Sequence, residues 1–464
     1  MRCPGEHLGV EPRLNRPSQH RFLPHTERDR AEMLRSIGAG TVEELFQAIP
    51  AAIRNRSFEL PPPLSEAELL DEMGRFAGAN RTGAKLFLGA GAYEHFIPSM
   101  VWSLAGRGEF ATAYTPYQPE VSQGTLQAAF EYQSLICELL AMEVSNSSLY
   151  DGASALAEAA LMANRIVRKD RVLAPATLHP AYRQVLQTYL QGIGVAVETI
   201  PSQGDRIDQE ALASLLKQPA TAVIVQHPNF FGQLEPVFDL AEQAHAAGAL
   251  LIASVYPISC GVLAPPGEYG ADIACGEGQS LGLPLAYGGP YFGFLATRQK
   301  YVRQMPGRLI GQTKDVEGRT GYVLTLQTRE QHIRREKSTS NICTNQFLCA
   351  LAASIYLAAM GKQGLPEVAR QCVRKSHELR DRLVELEGVE QRGNGPFFNE
   401  FVIATPLPAR EVLEGLRREG IVGGYPLGCC DPQREKEFLV CVTETRSRQE
   451  RERYVETLRA LLSR

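Results

Sequence analysis

The sequence has no lysine between Lys217 and Lys300, no C-x-x-C pair among its ten cysteines, and little imbalance of charge. Each absence removes a class of function. The cysteines stand at 3, 137, 260, 275, 343, 349, 372, 429, 430 and 441. That spacing is neither a disulfide framework nor a zinc site. Six of them lie inside runs that read as core, where a thiol behaves as a small apolar group in a reducing compartment. The adjacent pair Cys429–Cys430 is the exception and a candidate for redox chemistry. A formal net charge of −4 leaves no electrostatic footprint for nucleic acid or an anionic membrane surface. The long uncharged stretch Ala246–Gly267 carries three prolines and reads as a buried strand plus loop rather than a membrane span. The N-terminus "MRCPGEHLGVEPRLNRPSQHR" has no apolar core for a secretory signal, and Glu6 and Glu11 weaken a transit-peptide reading. The expectation from these features is a cytoplasmic protein.

What is present is ordinary for a soluble globular protein, with 44% hydrophobic and 22% charged residues. At 464 residues the chain is long enough for two or three domains. After a disordered extension over 1–20, caps at Thr26, Thr41 and Ser65 predict three helices, "ERDRAEMLRSIG", "VEELFQAI" and "EAELLDEMGRFAGAN". Their narrow apolar and long charged faces suit an arm laid over another surface. Tyr-, Gln- and Glu-rich turns follow, so 21–130 reads as a helical arm plus loops that suit a site rim. Over 131–345 strands such as "RVLAPA", "TAVIVQ" and "ALLIASV" alternate with amphipathic helices such as "ASALAEAALMANRI" and "AYRQVLQTYLQGIG". That alternation predicts a mostly parallel sheet covered by helices, with ligands at the carboxyl ends of the strands. It gathers "LHPAY", "QHPNFFG", "VYPIS" and "GEGQS" around one site. From 346 to 464 two helices, 347–361 and 365–387, lead into a small α+β domain.

An arm, a large parallel-sheet domain and a small closing domain form the plan of aspartate-aminotransferase-like enzymes that use pyridoxal phosphate (PLP-dependent transferase fold type I). That chemistry needs a helix N-terminus for the phosphate, an aromatic or histidine against the ring, an acid for the pyridine nitrogen and a lysine for the Schiff base. The helix of "LYDGASAL" starts with Asp151, a cap that repels phosphate. His179 suits the stacking position, and equally a structural turn before proline. The strand that should end in an acid offers Ser254, Val255 and Tyr256, and the turn that should carry lysine offers Gln279. The chain should therefore not be a pyridoxal-phosphate catalyst by itself. An autonomous enzyme would have to use Lys300 or Lys314, and Lys300 follows a returning strand to the far end of the sheet.

Several long segments, "GAGAYEHFIPSMV", "YTPYQPEVSQGTLQAAFEYQSLICEL", "SLYDGASALAEA", "PPGEYGADIACGEGQSLGLPLAYGGPYFGFLATR" and "GYVLTLQTREQHIRREKSTSNICTNQ" among them, resemble the glycine cleavage system P-protein, glycine dehydrogenase (decarboxylating), in its split form. Within that family the likeness is to the alpha, N-terminal-half subunits, and it runs from about Arg21 to the C-terminus. The resemblance implies decarboxylation of glycine and transfer of the aminomethyl group to the lipoyl arm of the H-protein. It implies that a beta subunit supplies the lysine and the pyridoxal phosphate, while the alpha subunit binds no cofactor covalently and completes the site. No metal, nucleic acid or membrane is expected. Gln279 lies at the position of the partner's lysine. Residues expected to reach the partner's site are Tyr93 and His95 in "GAYEHF" and Tyr114, Tyr117, Glu120 and Gln123 in "YTPYQPEVSQG"; of these, Glu120 or His95 suits proton transfer. The alternatives are that these residues pack the subunit interface, and that the chain is a silent scaffold for its partner.

Overall fold

The structure, a computed structural model, describes residues 24–54, 61–80, 82–342, 346–393 and 395–463. The expected extension over 1–20 lies outside the described residues. The chain divides into two units, Met1–Arg81 and Thr82–Arg464.

The first unit holds helices α1 (Glu27–Ile37) and α2 (Glu66–Gly78). Each starts with a reciprocal capping box, Thr26 with Asp29 and Ser65 with Glu68. α1 ends where Gly38 turns left-handed at φ 78°, a conformation without penalty for glycine. Between them the expected "VEELFQAI" helix shortens to one 3-10 turn, Glu43–Phe46. Thr41 does accept from the Glu44 N–H, but Glu44 folds back onto the Gly40 N–H at 2.8 Å. A segment this short, closed by Pro50, lacks the length to sustain α-helical propagation. No described residue of this unit is buried, so its apolar side chains Ile37, Leu70 and Phe76 face outward.

The second unit is built on a seven-stranded sheet. Its strands are β1 (Val144–Ser145), β2 (Arg171–Pro175), β3 (Ala196–Ile200), β4 (Ala222–His227), β5 (Leu250–Val255), β6 (Ile273–Glu277) and β7 (Gly293–Thr297). They lie in the order β1-β7-β6-β5-β4-β2-β3. β3, β2, β4, β5 and β6 run parallel, and β7 returns antiparallel to β6 and β1. Because side chains alternate across a strand, Ala222 and Ile224 of β4 face one core and Val223 and Val225 the other. Helix α4 (Gly152–Val167) fills the first core. Helices α3 (Gln123–Leu140) and α7 (Phe347–Val384) fill the second. Both faces covered is what a parallel sheet requires.

The hairpin β8 (Leu309–Lys314) and β9 (Thr320–Thr325) packs beside α3. Helix α7 is two helices joined at Gly361, where φ 59° and ψ −169° interrupt the helix near the expected break. Its second half crosses to a four-stranded antiparallel sheet of β10 (Glu390–Arg392), β11 (Glu400–Ala404), β12 (Tyr425–Pro426) and β13 (Glu437–Cys441), in the order β10-β11-β13-β12. Helices α8 (Ala409–Arg418) and α9 (Arg448–Leu462) cover it around Phe401, Ile403, Val440 and Tyr454.

Candidate functional site

The carboxyl ends of the parallel strands meet at one small cavity. His179 comes from beyond β2, Gln226 and Pro228 from the end of β4, Ser254 to Tyr256 from β5, and Glu277 to Ser280 from β6. Gly91 and Tyr93 roof it, and Asn399 and Glu400 reach in from the small sheet. The four turns grouped by sequence are thus brought together. The space left is about 30 Å³, room for one water and far below the roughly 300 Å³ of even a small ligand pocket.

Gln279 is fully engaged. Its side-chain oxygen accepts from the Tyr93 N–H at 2.8 Å, and its amide donates to the Tyr93 and Leu283 carbonyls at 2.9 Å each. An ammonium has no acceptor, so a lysine there would leave the Tyr93 N–H unmet. Glu277 turns its carboxyl onto the start of α4. One oxygen accepts from the Gly152 N–H and the other from the Gln279 N–H, both at 3.0 Å. Burial pushes Glu277 up to about 8 against the pull of these N–H groups, and Asp151 adds to the rise. Asp151 itself caps the helix at Ser154 N, 2.7 Å away. The helix N-terminus where a phosphate would sit is therefore closed by two carboxyl groups of the chain.

His179 is likewise structural. Its Nδ1 accepts from the Ala181 N–H at 3.1 Å, which leaves Nε2–H to donate to the Ala90 carbonyl at 2.9 Å. Burial lowers its pKa despite that bond. Tyr256, one of the three residues offered where an acid is expected, packs against Tyr93 as a tilted ring pair with centroids 4.2 Å apart and bonds through its hydroxyl to His95 Nε2. The other nitrogen of His95 lies 2.7 Å from Glu444. Burial opposes ionisation of Glu444, but His95 and the Phe96 N–H outweigh it and hold its carboxyl below the ordinary value. The Tyr93 hydroxyl donates to Glu400 at 2.8 Å, and Glu400 also accepts from the Ala90 N–H at 2.7 Å. Burial pushes Glu400 up to about 7. Aromatic rings and carboxyl groups occupy the volume, so these residues do not fit pyridoxal phosphate.

Tyr93 and His95 thus belong to this closed centre. The other four residues named from sequence form a second group at the start of α3. Gln123 binds the backbone of Tyr322 on β9, donating at 2.8 Å and accepting at 2.9 Å. The Tyr117 hydroxyl accepts from Arg308 at 3.1 Å. The Arg308 guanidinium lies 5.3 Å from the Tyr117 ring centre, a cation–π contact, and the His332 ring meets the same Tyr117 ring edge-on, with centroids 5.7 Å apart. Tyr114 is 80% exposed and edges a cavity of about 280 Å³ that Arg308 also lines. Glu120 is exposed on the turn Pro119–Val121.

Sequence reasoning passed over Glu277, Glu400, Glu444, Arg308 and His332. A signal existed for Glu400, a charge inside the apolar run "PFFNEFVIA", because a buried carboxyl needs partners. The rival lysines stand away from the centre. Lys300 follows β7, whose last residue, Thr297, pairs with the first residue of β6, so it lies at the opposite end of the sheet from Gln279. Lys314 ends β8 on the exposed hairpin.

Comparison with known proteins bears on this arrangement. Residues 20–458 match the family model described as glycine cleavage system P-protein. The probable glycine dehydrogenase (decarboxylating) subunit 1 of Moorella thermoacetica is 53% identical over 443 residues, covering 95% of this chain and all of that protein. The protein of the same description from Thermomicrobium roseum is 51% identical over 442 residues, covering 94% of this chain and 99% of its own. A crystal structure of glycine decarboxylase (P-protein) of the glycine cleavage system, in inhibitor-bound form, superposes with a TM-score of 0.86 at 47% identity, over 95% of this chain and all of that one. A sphingosine-1-phosphate lyase from Burkholderia pseudomallei shares the fold alone, with a TM-score of 0.64 at 14% identity over 89% and 94% of the two chains. The fold is that of PLP-dependent fold type I enzymes.

Proposed function

Because the chain belongs to the glycine cleavage system P-protein family, we propose that it is the alpha subunit of a divided glycine dehydrogenase (decarboxylating) and binds no pyridoxal phosphate. A beta subunit, subunit 2, carries the lysine and the cofactor. Together they decarboxylate glycine in the cytoplasm and pass the aminomethyl group to the lipoyl arm of the H-protein. One observation carries the reading: the strand-end cavity of about 30 Å³, with Gln279 spending its amide on Tyr93 and Leu283.

Exposed aromatic side chains support it. Phe96, Tyr114 and Tyr287 are 67%, 80% and 91% exposed, and aromatic anchors are common hot spots of interfaces. At the partner's site the work of this chain falls to Tyr114, Tyr117 and Glu120. Arg308 donates to the Tyr117 oxygen and so leaves the phenolic proton free to be donated outward. Glu120 supplies a carboxylate for holding a proton. Tyr93, His95 and Gln123 act through the fold, by fixing the loops that present these groups.

The test is reconstitution. Glycine–bicarbonate exchange should be absent from either subunit alone and present in the mixture; exchange by this chain alone would overturn the proposal. The silent-scaffold reading draws on the internal engagement of Tyr93, His95 and Gln123. Unchanged turnover of an assembled complex carrying both Tyr117→Phe and Glu120→Gln would favour it.

A further inference from the structure

A cleft of about 1120 Å³ opens between the edge of the large sheet and the small sheet. His179, Arg183 and Phe231 stand on one wall, and Tyr425, Cys429 and Cys430 on the other. None of the groups proposed to serve the partner's site lies here. Cys429 and Cys430 sit on the short turn after β12, both exposed. The other described cysteines are withdrawn. Burial pushes Cys137 and Cys349 up to about 11 and Cys260 to about 12, and raises Cys275, Cys372 and Cys441 as well. A thiol held in its protonated form is a poor nucleophile.

The two exposed thiols have different neighbours. The Arg410 guanidinium donates to Cys429 Sγ at 3.7 Å, placing a fixed positive charge beside that sulfur. Cys430 Sγ lies 3.3 Å from the Tyr425 hydroxyl. An accessible thiol with a guanidinium at its sulfur, next to a second accessible thiol, is the arrangement of an attacking and a resolving cysteine.

We propose that Cys429 and Cys430 form a thiol modification site for low-molecular-weight disulfides, with Cys429 attacking and Cys430 resolving. The Cys429 thiolate attacks one sulfur of R–S–S–R. That S–S bond breaks, a mixed disulfide forms on Cys429, and RS⁻ leaves and takes up a proton. The Cys430 thiolate then attacks Cys429 Sγ and expels the second RS⁻, closing a Cys429–Cys430 disulfide. Two protein thiols are oxidised and one R–S–S–R is reduced to two R–SH. The cleft leaves room for R, and the ring joining adjacent residues is strained, which makes the oxidised state easy to reduce again.

The experiment treats the full-length chain with hydroxyethyl disulfide and follows it by intact-mass and peptide mass spectrometry. In the wild type the peptide carrying Cys429 and Cys430 should end two hydrogens lighter without an adduct, the bond mapping to Cys429–Cys430. Cys430→Ser should stop at the mixed disulfide on Cys429, and Cys429→Ser should react about ten-fold more slowly. A wild type that keeps stable adducts on both sulfurs overturns the resolving step. A Cys429→Ser chain that reacts at the wild-type rate overturns the assignment of the attacking thiol. A Cys429→Ser/Cys430→Ser chain modified as fast and as fully as wild type overturns the site.

Discussion

Gln279 and Tyr93, 186 residues apart in sequence, are stapled by two hydrogen bonds of opposite sense, one donated by the Tyr93 N–H and one accepted by its carbonyl. The amide that stands where a Schiff-base lysine would be expected thus ties the roof of the pocket to the end of β6. Gln279→Lys should therefore not restore a cofactor site. It should bury an unpaired charge, break the staple and cost roughly 3 kcal/mol or more. Denaturant unfolding checks the cost, and absorbance after adding pyridoxal phosphate checks that no aldehyde adduct forms at residue 279.

The two buried carboxyls predict an unusual pH dependence. Burial raises Glu400 to about 7 and Glu277 to about 8 from the ordinary 4.5. An acid whose pKa rises on folding contributes stability below its unfolded pKa, and that contribution is lost as pH climbs to the folded value. Stability should fall between about pH 5 and 8, by up to about 1.4 kcal/mol per pH unit for each carboxyl. Urea unfolding across that range should give a shallower slope for Glu277→Gln and Glu400→Gln than for wild type.

Tyr117 offers a separation of activity from assembly. Tyr117→Phe keeps the ring for Arg308 and His332 to pack against but removes the phenolic proton. Turnover of the reconstituted complex should fall by about ten-fold or more, with subunit association unchanged by analytical ultracentrifugation. Arg308→Met should lower turnover as well, because it frees the Tyr117 ring.

The exposed aromatic side chains Phe96 and Tyr287 should govern association and not folding. Tyr287→Ser and Phe96→Ser should each weaken binding of the beta subunit by about ten-fold, measured by calorimetry. The unfolding midpoint of the isolated chain should stay where it was.

The sheet was legible from sequence because β4 opens on the apolar run Ala222–Val225 and β5 is apolar but for Ser254, both set between amphipathic helices, a pattern imposed by burial on both faces. The break in α7 was legible because Gly361 stands where the apolar face ends. The 3-10 turn at Glu43–Phe46 was not, because its length depends on Glu44 reaching back to Gly40, a local competition that cap residues do not reveal. At the site, the strand-end turns could be grouped by topology alone. Glu277 and Glu400 could not be read, since a carboxylate in sequence resembles a solvent-facing charge and their backbone partners lie 125 and 310 residues away. Tyr93 and His95 looked equivalent to Tyr114 and Tyr117, and separated only when the loops were placed.

The central claim is that this chain cannot hold the cofactor its fold was built around. Its most direct test is to mix the purified chain with pyridoxal phosphate, reduce with borohydride, and map labelled lysines, alone and with the beta subunit. The account predicts no specific label on this chain and one labelled lysine on the partner. A stoichiometric label on a lysine of this chain, together with glycine–bicarbonate exchange in the partner's absence, would contradict it.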